Sequence, residues 1–160
     1  MSFIAKAIRW ESEYRQLCDA TRKEFVVSKP YPLAISGLCD GASDALLVSL
    51  VEDTKAERKG APLVIICPEE KECLRLQKML TQFEISAAFY LNRDLNFYNI
   101  TASHEYEHER LKVLFGIKNC ELDVVITTPD AALSYTIPPR RLKENLIKID
   151  TSTILEPRDL

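Results

Sequence analysis

The chain has 160 residues, with 21 Lys and Arg against 24 Asp and Glu and a formal net charge of −3. Its 46% hydrophobic and 28% charged residues are globular proportions, which exclude disorder as the main state and favour one good core over two full domains. A slightly acidic chain is poorly suited to holding nucleic acid alone, because that affinity comes mainly from neutralising phosphates.

The first apolar residues, Phe3, Ala7, Trp10, Tyr14 and Leu17, recur at steps of 4, 3, 4 and 3, one face of an α-helix. Pro30 and Pro32 end it, and Leu33 to Ser36 reads as a short strand. A turn over Gly37 to Gly41 leads into a helix over 42–59, which is apolar nearly all round from Ala45 to Val51 and therefore packed on most sides. Leu63 to Cys67 is a continuous apolar run, the pattern of a buried strand. Pro68 and the acids after it open the next helix, where the dipole favours them, with Cys73, Leu76, Leu80 and Phe83 as its core stripe. Ala87 to Tyr90 predicts a third strand, 92–101 a loop, and 103–118 a helix capped by Ser103. Asp123 to Thr127 is a fourth buried strand and Pro129 to Leu133 a short helix. Pro138 and Pro139 interrupt before a fifth strand over Leu146 to Ile149. Strands alternating with helices predict an α/β fold, a parallel sheet flanked by helices.

No apolar run reaches the roughly 18 residues that cross a bilayer, and Met1 to Lys6 does not build a secretion signal. Five cysteines, Cys18, Cys39, Cys67, Cys73 and Cys120, form no C-x-x-C pair and sit mostly among apolar neighbours. Reduced, half-buried thiols in a cytoplasmic protein are the expectation, with no membrane partner.

Two segments carry chemical patterns. The first runs from strand through turn to helix, over Gly37, Asp40, Gly41, Ala42, Ser43 and Asp44. It has the position of a P-loop, whose working pattern is G-x-x-x-x-G-K-[ST]. Laid from Gly37, the second glycine falls on Ala42, the phosphate-binding lysine on Ser43 and the Mg²⁺-holding hydroxyl on Asp44. The turn keeps the geometry and has lost the chemistry, so no cofactor is expected. An ATP-binding lobe with an atypical loop is the alternative.

The second segment, His104-Glu105-Tyr106-Glu107-His108, matches H-E-x-x-H, the zinc-peptidase pattern. Its spacing puts both imidazoles on one helical face, with Glu105 as a candidate base. These are the only histidines, so a third ligand would have to be a carboxylate or a thiolate. Glu107, Glu109 and Arg110 crowd the segment with charge, although the line from His108 runs on into Leu111 and Phe115. No bound metal is expected there. The dibasic Arg140-Arg141 reads as a solvated helix start.

Taken in order, Ile35 to Ala42, Leu63 to Glu70, Asn92 to Tyr98, His104 to Leu114 and Val124 to Leu133 resemble the N-terminal region of the bacterial transcription-repair coupling factors, the Mfd family, itself related to the repair helicase UvrB. The resemblance covers roughly Pro30 to Leu160. It implies a RecA-like helicase lobe, similar to UvrB domain 1a, over 30–150, after the N-terminal helix read over 1–29, with 151–160 as the truncated start of the following domain. It also implies a degenerate nucleotide loop, and a chain that is a non-catalytic scaffold within a longer ATP-dependent DNA translocase. Only about a dozen residues separate Tyr90 from Ser103, too few for the DNA-probing hairpin of UvrB. Pro129 to Leu133 resembles the helicase segment that touches the nucleic-acid backbone, without basic residues around it. The partners so implied are UvrA through the adjacent domain, and RNA polymerase and DNA through distant domains. No strong DNA binding by this chain alone is expected.

Overall fold

The computed structural model describes residues 3–24, 32–39, 41–92 and 105–145. Their elements are α1 (Phe3–Ile8), α2 (Ser12–Glu24), α3 (Ala42–Thr54), β1 (Leu63–Ile66), α4 (Glu70–Gln82), β2 (Ala87–Tyr90), α5 (Glu105–Lys118), β3 (Val124–Thr127), α6 (Pro129–Leu133) and α7 (Pro139–Glu144). The strands form one parallel sheet in the order β1-β3-β2, with Leu63 and Ala87 both opposite Val124.

Alternate side chains of the sheet feed two cores. On one face, Val124 and Ile126 of β3 and Phe89 of β2 pack with Val48 and Val51 of α3 and with Cys73, Leu76 and Leu80 of α4. On the other face, Val125 and Tyr90 pack with Val113 of α5 and Ala131 of α6. The connection through α4 runs from β1 past β3 to β2, and the connection through α5 returns to β3 on the opposite face. Opposite directions on opposite faces give both crossovers the same hand. All four residues of β3 are buried, as a central parallel strand requires. On β1, Val64 and Ile66 stay 57% and 59% exposed, because α5 covers the β2–β3 side of the second face.

Local chemistry explains the boundaries. Thr128 accepts a hydrogen bond from the Ala131 amide and Pro129 occupies the first turn, which starts α6 immediately after β3. Glu70 and Glu72 occupy the first turn of α4, as the dipole favours. The helix predicted over 42–59 ends at Thr54. Beyond it, Arg58 turns back and donates to the carbonyls of Val51 (2.9 Å), Ala61 (3.1 Å) and Asp123 (2.7 Å), tying the end of α3 to the start of β1 and β3.

Three expectations meet a different structure. The single N-terminal helix is two, α1 and α2, separated at 9–11, and Trp10 is 77% exposed rather than part of the buried stripe. At the break Arg9 reaches α3, donating to Asp53 (2.9 Å) and Glu52 (2.8 Å), and Tyr14 donates to the same Asp53 at 2.6 Å. Tyr14 and Cys18, one turn apart, then pack on Leu46. Leu33 to Ser36 forms no strand: residues 32–39 are irregular and exposed. A strand is stable only when its amides pair, and this segment instead lies along α2 and Leu46. Residues 55–60 are turns rather than helix. The predicted fifth strand over 146–149, most of the predicted loop over 92–101 and the Ser103 cap lie outside the described residues. Among the described residues, no helix is long and apolar enough to cross a membrane.

Candidate functional site

The strand–turn–helix segment departs from a nucleotide site in its backbone. Gly37 and Gly41 hold φ of 80° and 86°, the left-handed region glycine favours, and open space lies where a Cβ would stand. Asp40 lies outside the described residues. Gly41 caps α3 without a side-chain hydrogen bond, and the Ala42 amide is turned back onto the Cys39 carbonyl at 3.0 Å. A P-loop needs its preceding strand fixed in the sheet so that its amides converge on phosphate. Here that segment is unpaired and exposed.

The electrostatics at the start of α3 are set by one guanidinium. Arg75 of α4 donates from both Nη atoms to the two oxygens of Asp44 (2.8 and 2.9 Å) and also to Glu72 (2.9 to 3.1 Å). The Arg75 hydrogen bonds hold the carboxyls of Asp44 and Glu72 below the usual carboxylate range, and those two carboxylates raise Arg75. The cluster carries two negative charges against one positive. Asp44 stands where a P-loop has its Mg²⁺-holding hydroxyl, so a nucleotide phosphate arriving there would meet a carboxylate whose cation is already bound bidentately.

Cys67 and Cys73 face each other at the junction of β1 and α4, 3% and 0% exposed. Burial pushes both thiols up, Cys73 to about 12, which keeps them protonated and poorly nucleophilic at neutral pH.

The H-E-x-x-H segment opens α5. His104 and the Glu105 side chain lie outside the described residues. His108 is exposed, on the far side of the sheet from Asp44, so the fold does not bring the two candidate sites together. Among the described residues, no group of three or more His, Cys, Asp and Glu side chains is placed to hold a metal ion.

Sequence reasoning passed over one residue. Arg110 looked like surface charge yet is 7% exposed. Its guanidinium donates to the Leu91 carbonyl, the Tyr90 hydroxyl and, at 2.8 Å, to Ser134, and it lies 4.1 Å above the Tyr90 ring. The available signal was spacing: Arg110, Val113 and Ile117 fall at i, i+3 and i+7, the stripe that α5 turns inward. The line through His108, Leu111 and Phe115 faces away from the sheet, and its apolar members are 40% and 37% exposed.

Comparison of the chain with protein-family models, with curated proteins and with solved structures finds no match.

Proposed function

We propose that the chain is a non-catalytic RecA-like scaffold lobe of a cytoplasmic transcription-repair coupling factor, supporting the recruitment of UvrA to stalled RNA polymerase in nucleotide excision repair. The observation that carries the non-catalytic part is the bidentate Arg75–Asp44 pair at the start of α3, where a working lobe would hold Mg²⁺ and phosphate. The parallel three-stranded sheet is compatible with a RecA-like core. The coupling-factor part rests on the order of the five sequence segments.

On this reading the lobe supplies position, and contacts with UvrA belong mainly to the domain that follows. A pull-down compares the 160-residue chain with a longer chain continuing through that domain. UvrA should be retained well by the longer chain and weakly or not at all by the shorter. Equal retention would place the interface on this lobe, and no retention by either would remove the coupling-factor assignment.

A further inference from the structure

The N-terminal helices α1 and α2 are fastened to the fold by other means than those that hold the sheet. Their apolar contact is small: Tyr14 and Cys18 rest on Leu46, with Ile8, Leu17 and Leu50 beside them. It is separate from the two cores on the sheet, where Val124 and Ile126 are 0% exposed. α3 serves both sides, with Val48 and Val51 packed in the sheet core and Leu46 and Leu50 packed with α2. The contact is also loosely filled. A gap of about 640 Å³ is walled by Leu17, Ala20, Leu33, Ile35, Leu38 and Leu46, whereas close-packed interiors hold few voids larger than a water molecule.

The rest of the hold is polar. Glu52 and Asp53 stand in the last turn of α3, which carries no basic residue. The helix dipole disfavours carboxylates at that end, and Arg9 supplies the compensating cation. Its guanidinium lies 2.8 Å from Glu52 and 2.7 Å from Asp53, and Tyr14 donates to the same Asp53 at 2.6 Å. The side chains of Arg9, Glu52 and Asp53 keep 20%, 26% and 28% of their surface in water. Charges so placed can part without stranding one of them in a dry core. The turn between the helices is held within itself, because Arg15 donates to the carbonyls of Arg9 and Trp10 at 3.4 Å. A small apolar contact, a gap and a hydrated polar hold are the marks of a segment that opens below the free energy of global unfolding.

We propose that α1 and α2 form a strap that opens from α3 as one unit while the sheet stays folded, with Arg9, Tyr14, Glu52 and Asp53 as its latch. The two helices have 6 and 13 residues, and isolated helices shorter than about 12–15 residues are marginal in water. The open strap therefore gives up its helical hydrogen bonds. Opening uncovers Leu46 and Leu50 and leaves Val48 and Val51 in the sheet core, so the strap is a cover over the second apolar face of α3. The device stands apart from the coupling-factor reading.

Native-state amide hydrogen exchange of the full chain, resolved by residue in rising sub-denaturing urea, tests it. Protected amides of α1, α2 and the turn between them should share one opening, faster than that of β3 and with a weaker urea dependence, because it exposes less surface. Arg9→Gln should speed the strap amides roughly tenfold, the weight of one charge-assisted hydrogen bond. Tyr14→Phe, which keeps the ring, should speed them in the same direction. Ile126→Val, a mild change in the sheet core, should speed the β3 amides roughly fivefold and leave the strap amides unchanged, since its contacts persist when the strap is open. The proposal is overturned if the strap amides match β3 in rate and urea dependence, if they respond to Ile126→Val, if α1 and α2 follow separate openings, or if Arg9→Gln leaves them unchanged. Strap amides without protection in the wild type also overturn it, since no latch then closes.

Discussion

Asp44 is the residue whose charge sets the glycine turn apart from the P-loop pattern. Its carboxyl titrates below the ordinary range because Arg75 donates two hydrogen bonds to it. A group depressed in the folded state adds stability that is fully present above its unfolded value, about 4 for a carboxylate, and loses it as pH falls through the folded value. The difference in urea midpoint between wild type and Asp44→Asn should therefore be positive near neutrality and should shrink as pH falls into the carboxylate range. A difference independent of pH would mean that the pair contributes nothing. Thiols give a second reading at this scale. Cys39 and Cys120 are exposed, while Cys18, Cys67 and Cys73 are buried. An aromatic disulfide reagent at neutral pH should titrate the first two rapidly and the other three only on unfolding. Rapid loss of all five would show that the β1–α4 junction is open.

Among the elements, α4 separates burial from mere hydrophobicity. Leu80 is 0% exposed and Leu74 46% exposed on the same helix. Leu80→Ala should cost about 2–5 kcal/mol by leaving a cavity between α4 and the sheet, whereas Leu74→Ala should stay within about 0.5 kcal/mol. Denaturant curves of the two variants test the orientation of α4; comparable losses would contradict it. The elements legible in the sequence are those whose local pattern and tertiary setting agree. For β1, β2, β3, α4 and α6, a short apolar run or an amphipathic stripe stands between clear stop signals, and each appears within a residue or two of its predicted place. Legibility failed where a long-range partner decides. The periodicity through Trp10 is continuous, but Arg9 is drawn to Glu52 and Asp53, more than forty positions away, and the helix breaks there. Leu33 to Ser36 has strand composition and no strand to pair with. Arg110 was hidden because its burial depends on Tyr90 and Ser134, which local sequence does not place beside it.

At the scale of the molecule, the sheet separates the two patterns that suggested chemistry. The glycine turn lies at the start of α3 against one face, and His108 lies on the outer side of the helix covering the other. Each would have to work alone, and the first is occupied by its own ion pair. The parallel arrangement itself was readable, because βα alternation with short buried strands has few other solutions. The missing lysine of the glycine turn was readable too, but the meeting of Arg75 of α4 with Asp44 of α3 was not, since it depends on side chains that come together across elements. We propose that this α/β lobe holds position without turning over nucleotide. Calorimetric titration of Mg-ATP into the full chain tests it most directly. No heat of binding is expected at millimolar nucleotide; a micromolar dissociation constant would contradict this.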